Sequence, residues 1–213
     1  RKRVGAECLD LERERLLTIC HSWLQEEAAR TVSFSVVERE RKHELSIGAI
    51  SLVLKPDRVD ELADGRRLVI DYKTGVVSRS HWLGERPRDP QLPIYSLLDE
   101  RVEGIAFVRL KPYSANTLSF EFVGETLGLK SRGRTQEDLA AQIRKSEPDI
   151  HTWPELRALW ERRLEVLAME LSTGCATIDP LPRACDYCEL TSVCRIKHGQ
   201  TETDSEPVEA INL

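Results

Sequence analysis

No stretch approaches the roughly 18 consecutive apolar residues that a membrane span requires. No signal peptide opens the chain either, so nothing points to export, and a cytoplasmic location is the expectation. There is no surplus of positive charge: 31 Lys and Arg against 36 Asp and Glu leave a net charge of −5. A basic whole-chain balance, the simplest sign of a nucleic-acid binder, is therefore missing. Local runs still count, because a basic stretch neutralises phosphates wherever acidic faces point elsewhere. Arg66-Arg67, Arg79 to Arg88 and Lys130 to Arg134 are such runs, although each also reads as an ordinary solvated face. Aromatic residues are few, at 6%, which favours no function class over another. Methionine occurs once, at Met169, and residue 1 is Arg, so the sequence reads as a piece of a longer protein.

What is present is ordinary for a globular domain, with 40% apolar and 31% charged residues in 213. Leu9, Leu16, Cys20, Trp23, Leu24 and Ala28 recur at helical spacing, predicting an amphipathic helix over about 8–30 with Cys20 in the core. Thr31 to Val37 reads as extended. A strand over about 46–55, continuing toward Asp57-Arg58-Val59-Asp60, then returns through the Ala63-Asp64-Gly65 turn as Arg67 to Lys73, so 46–73 predicts one β-hairpin. Residues 76–90 read as a loop able to reach over a substrate. A short helix within 90–100 carries Pro93 in its first turn.

Strands are predicted at Gly104–Leu110 and Leu118–Val123, and helices at 135–146 and 153–173. The last buries Leu156, Leu159, Trp160, Leu164, Leu167 and Leu171. Residues 199–213 read as a loose acidic tail. The order of elements predicts an α/β fold: a central mixed sheet flanked by helices, plus a small cysteine-bearing element at the C-terminal end. The expected division is a helical segment over 1–30, a core over 31–174, the cysteine element over 175–198 and the tail over 199–213.

Side chains alternate along a strand, so Asp71 and Lys73 share one face and Ile70 and Tyr72 the other. Val69-Ile70 marks the strand as buried, and unpaired buried charge is costly. Asp71 and Lys73 therefore either pair with each other or serve a site. Asp57, expected at the end of the partner strand, would lie beside Asp71. Two adjoining carboxylates repel unless a divalent cation compensates, and one or two carboxylates with water and phosphate suit Mg²⁺. Lys73 would orient a water or stabilise developing charge.

Pro56-Asp57, thirteen residues, then Asp71-Tyr72-Lys73 resembles the signature of the PD-(D/E)XK nuclease superfamily. The surroundings Asp57-Arg58-Val59-Asp60, Asp64-Gly65 and Val69 to Gly75 are similar to its RecB/AddB-type branch, whose Gln-x-x-x-Tyr motif Gln91 to Tyr95 matches. The resemblance implies a restriction-endonuclease-like core and Mg²⁺- or Mn²⁺-dependent deoxyribonuclease activity of exonuclease type. It makes Asp57 and Asp71 metal-binding and catalytic, Lys73 catalytic, and the backbone carbonyl of Tyr72 a further metal ligand. It places Gln91 and Tyr95 beside the site in contact with DNA. Asp60, on the opposite strand face from Asp57, reads as supporting or structural. The branch's additional helix-borne metal ligand has no clear match among Glu12, Glu14, His21 and Glu38, and is expected upstream.

Cys185-x-x-Cys188-x₅-Cys194 gathers three thiols in a short segment suited to a soft metal, and spacing alone does not separate zinc from iron–sulfur. By resemblance to AddB-type nucleases the group is a [4Fe–4S] cluster with a structural role. Its fourth cysteine is expected upstream, with Cys8 and Cys20 candidates by position only. The first helix is similar to the segment before the nuclease motifs in bacterial DNA repair proteins that carry a helicase-like region, which makes such a region, or a helicase–nuclease partner subunit, an expected partner beside DNA. Two readings compete with catalysis: an inactive DNA-binding or scaffold module of the same fold, and a zinc-stabilised interaction domain.

Overall fold

The structure is a computed structural model describing residues 5–30, 32–75, 78–110, 118–124, 143–175, 177, 180, 184–186 and 188–194, with the strand 118–124 described by its backbone. The predicted segment 135–142 and the tail 199–213 lie outside the described residues. By its internal contacts the chain divides into two units, Arg1–Ser172 and Thr173–Leu213.

The first unit is built on a five-stranded mixed sheet, as the sequence predicts. Its strands are β1 (Phe34–Arg39), β4 (Arg58–Leu62), β5 (Arg67–Lys73), β6 (Val102–Leu110) and β7 (Leu118–Gly124), in the spatial order β1-β4-β5-β6-β7. β5 and β6 are parallel and the other neighbours antiparallel. A parallel pair needs a crossover, and residues 74–101 supply it with a 3₁₀ turn (Arg79–Trp82) and α2 (Gln91–Ser96). Pro90 caps α2, and Pro93 sits in its first turn where its missing amide proton costs nothing.

The predicted hairpin over 46–73 forms only in its later part, where β4 returns through the Ala63-Asp64-Gly65 turn as β5. The segment breaks at Gly48, whose φ of 55° makes a tight turn between β2 (His43–Ile47) and β3 (Ile50–Leu54). These two form their own antiparallel pair, with Ile47 opposite Ile50 and His43 opposite Leu54. The strand facing Arg67–Lys73 is instead the short β4, and Asp57 precedes that strand rather than ending it. Alternating apolar residues mark a strand but carry no label for its partner, which is why 46–55 and 58–62 merge when read along the chain.

Alternation assigns the two faces of the sheet. Val59, Val69, Ile105 and Phe107 face a large core completed by Trp82, Leu92, Leu156, Trp160 and Leu164. The last three come from α3 (Trp153–Ser172), whose Trp160 indole donates to the Trp82 carbonyl at 2.8 Å. Leu62, Leu68, Ile70, Ala106 and Val108 form a second core on the other face, where Trp23 of α1 (Ala6–Ala28) packs. In α3, Leu171 is exposed rather than buried, because the last turn runs past the sheet.

The stripe expected on α1 is also corrected. Leu9, Leu16 and Leu24 are 59, 53 and 63% exposed, Cys20 is exposed, and Ile19 is the buried side chain of the helix. Helical periodicity names an apolar face, but only the last turns of α1 reach the sheet. No helix among the described residues is long and apolar enough to cross a membrane.

Candidate active site

The β4–β5 register pairs Arg58 with Ile70 and Val59 with Val69, and Asp57, just before β4, comes near Asp71, whose neighbour Tyr72 it bonds and whose carboxyl its charge affects. Asp57 is held there by both ends. Its backbone carbonyl accepts from the Glu40 amide at 3.2 Å, and its carboxylate Oδ2 accepts from the Tyr72 amide at 2.9 Å. The residue between Asp71 and Lys73 thus fastens the neighbouring carboxylate through its main chain.

Asp71 and Lys73 project to the same face, and Lys73 Nζ lies 2.7 Å from Asp71 Oδ2. Gln91, at the start of α2, joins them. Its amide oxygen accepts from Lys73 Nζ at 2.7 Å, and its Nε2 donates to Asp71 Oδ1 at 2.9 Å and to the Tyr95 hydroxyl at 3.1 Å. Tyr95 is buried and donates in turn to the Lys55 carbonyl at 3.2 Å, two residues before Asp57. The amide of Gln91 has one usable orientation, because an ammonium needs its oxygen and a carboxylate its nitrogen. This chain of bonds ties both limbs of the β4–β5 hairpin to α2. Gln91 and Tyr95 are therefore engaged inside the protein, with Tyr95 only 6% exposed.

Burial pushes the Asp71 carboxyl above the usual carboxylate range; the Lys73 ammonium opposes the shift, and the negative charges of Asp57 and Asp89 add to it. Asp71 Oδ2 is enclosed and receives no well-directed hydrogen bond. Among the described residues Lys73 is the cation at this oxygen, and with the Asp57 and Asp89 charges acting on the same buried carboxyl the site can take further positive charge. Two carboxylates suit Mg²⁺ or Mn²⁺, which keep several waters and need few protein ligands. Asp89, on the loop entering α2, escaped the sequence reading. Its position just before Pro90-Gln91 is the signal that would have found it.

Behind the sheet, Arg58 and Tyr72 point to the opposite face. Asp60 is fully buried there between Arg58 Nε and Arg30 Nη1, each at 2.5 Å, and Arg58 Nη2 also binds Glu27 at 2.7 Å. Burial works against the Arg58 cation, but the bonds to Asp60 and Glu27 outweigh it and keep the group more firmly protonated than usual. Of the helix-side ligand candidates, Glu12 pairs with Arg15 and His21 with Gln25, while Glu14 is exposed. Glu38 pairs with His43 and Arg67. All four lie apart from the Asp71–Lys73–Gln91 bonds.

Residues 4–195, nearly the whole chain, match the PD-(D/E)XK nuclease superfamily. The chain belongs to that superfamily. Membership agrees with the mixed sheet flanked by helices, and it implies nuclease activity and, in general, use of a divalent metal. No curated protein matches the chain. Among solved structures, the crystal structure of SSO0001 is similar at 18% identity and a TM-score of 0.39, over 84% of this chain and 68% of that one.

Among the described residues the cysteines form no ligand set. In the second unit Cys188 N bonds the Cys185 carbonyl at 3.3 Å, and Cys194 ends the short α4 (Thr191–Cys194). Among the described residues no three His, Cys, Asp or Glu side chains are gathered to hold a metal ion, and none of the six cysteines forms a disulfide. The expected iron–sulfur group therefore does not fit the cysteines as they stand, since sequence proximity alone does not aim three sulfurs at one point. Cys8 and Cys20, the positional candidates for a fourth ligand, are both exposed on α1.

Proposed function

We propose that this chain is a metal-dependent deoxyribonuclease that hydrolyses phosphodiester bonds, exonucleolytically, in bacterial DNA repair or recombination. The observation that carries the reading is that Lys73 and Gln91 both engage the buried Asp71 carboxylate and each other, while the Tyr72 amide between Asp71 and Lys73 holds the Asp57 carboxylate. Asp57 and Asp71, with the Tyr72 carbonyl, would hold Mg²⁺ or Mn²⁺. A bound cation would supply charge to polarise the scissile phosphate and acidify a water. Lys73, drawn from Asp71 toward the reacting group, would orient that water or meet charge developing on the phosphate. Gln91 holds Lys73 and Asp71 at a fixed separation, and Tyr95 keeps the Asp57 limb in register with them. DNA is the proposed substrate. The motif surroundings support the RecB/AddB-type branch, with a helicase-like region or subunit as partner.

The test is degradation of end-labelled single- and double-stranded DNA with Mg²⁺ or Mn²⁺, beside Asp71→Asn. The parent should degrade DNA and the variant should not. Binding without cleavage by either protein would establish the inactive DNA-binding module instead. The spacing of Cys185, Cys188 and Cys194 supports soft-metal ligation only. Visible absorption and metal content of anaerobically purified protein decide between [4Fe–4S], zinc and no metal.

A further inference from the structure

Among the described residues, the site face of the sheet carries a cation with no counter-charge on it. The parallel register pairs Val69 with Ile105, Asp71 with Phe107 and Lys73 with Arg109. Ile105 and Phe107 lie in the core under α2, so alternation puts Arg109 on the same face as Asp71 and Lys73. Lys73 Nζ, 5.3 Å from the centre of the Phe107 ring, marks that shared face. Adjacent strands stand about 4.8 Å apart, so Arg109 is the immediate lateral neighbour of Lys73.

Arg109 is half-buried, and its Nε is enclosed without a partner. Among the described residues every other buried or half-buried arginine has an oxygen partner, as Arg67 has Asp99, Arg157 the Glu100 carbonyl and Arg163 Glu147. A guanidinium cannot shed its proton, so its enclosed Nε, without an acceptor, bears a desolvation cost unrelieved while the rest of the group stays open to a ligand. Such a group is stable in a site that an anion enters. The anion at this face is the phosphodiester of the proposed substrate, and a planar fork of donors matches two phosphate oxygens. Lys73 is already committed to Asp71 and Gln91, which leaves strand binding to its neighbour.

We propose that Arg109 is a substrate-binding residue that grips a phosphate of the nucleic-acid strand beside Lys73. The proposal rests on the nuclease reading above and deepens it. It is tested by fluorescence anisotropy of labelled single- and double-stranded DNA, in Asp71→Asn protein so that no cleavage intervenes, across a range of salt. Arg109→Ala should weaken binding about tenfold or more. It should also flatten the slope of log affinity against log salt by about one unit. Arg109→Lys should keep the slope yet bind more weakly than Arg109. In the cleaving protein Arg109→Ala should raise KM by a larger factor than it lowers kcat.

Unchanged affinity and slope in folded Arg109→Ala would overturn the proposal. So would weaker binding with an unchanged slope, because that marks a structural loss without a lost phosphate contact. An Asp71→Asn protein that binds no DNA at all overturns it, and with a parent that cleaves none either the nuclease reading falls too. If DNA is bound but never cleaved by the parent, only the catalytic reading fails, and the Arg109 comparison still stands.

Discussion

Removing the carboxylate of Asp60 should cost more stability than any other single acidic deletion in the sheet. Asp60 is fully buried, and the side chains of Arg30 and Arg58 that bind it are 2% and 9% exposed. In Asp60→Ala both cations remain enclosed, and the carboxylate still beside them is Glu27, at 2.7 Å from Arg58 and 3.9 Å from Arg30. Breaking a buried ion pair costs about 3–5 kcal/mol, and the remaining Glu27 argues for the lower end, about 3 kcal/mol. Against a usual folding stability of about 5–15 kcal/mol that is a large share. The assay is urea unfolding followed by tryptophan fluorescence. With an m value of about 1–3 kcal/mol/M the midpoint should fall by about 1–3 M. Asp64→Ala is the control: its partner Arg66 is a surface neighbour, and its midpoint should match the parent's. A midpoint for Asp60→Ala indistinguishable from that of Asp64→Ala would refute the reasoning that enclosed, uncompensated cations set the cost.

Gln91→Ala removes the bridge between Lys73 and Asp71, and the cleavage rate at saturating Mn²⁺ should drop by about 10–100-fold with folding retained. A rate within twofold of the parent would show that Lys73 and Asp71 hold each other without help. Burial pushes the Glu147 carboxyl up, but the Arg163 guanidinium and the Gly84 amide outweigh it and hold it below the usual range. Its stabilisation is therefore present above the ordinary carboxylate pKa and disappears as pH falls through the lowered one. Glu147→Gln should melt below the parent at pH 7 and level with it in acid; a gap that persists at low pH would count against this. Gly48→Ala should cost about 1–2 kcal/mol through left-handed backbone strain alone, since the added Cβ would meet Ala168 at an ordinary 3.8 Å. Thermal melting that shows no loss would place the turn in another conformation.

Much of the site was legible one residue at a time. The two-residue period of β5 puts Asp71 and Lys73 on one face, and the same rule sends Asp60 away from Asp57. Pro93 in the first turn of α2 follows from its missing amide proton, and the apolar repeat of α3 names Leu156, Trp160 and Leu164 as core. These are local properties of backbone geometry, so neighbours along the chain suffice to establish them.

Pairing was not legible, because β-strand hydrogen bonds join residues far apart and an apolar alternation fits many partners. Segment 46–55 therefore read as the partner of β5, while in the folded protein it closes on itself at Gly48 and β4 takes that place. The surface of α1 was misread for the same reason: the face that could be buried is set by sequence, and the face that is buried by whatever reaches it. The resemblance set Gln91 beside the site, but tertiary structure made it the bridge between Lys73 and Asp71 and brought Asp89 close enough to raise the Asp71 carboxyl. It also decided the parallel register of β5 and β6, which places Arg109 beside Lys73. The sequence by itself determined which chemical groups share a strand face. Only the fold decided which strands adjoin, because that choice is made by long-range packing of both sheet faces at once.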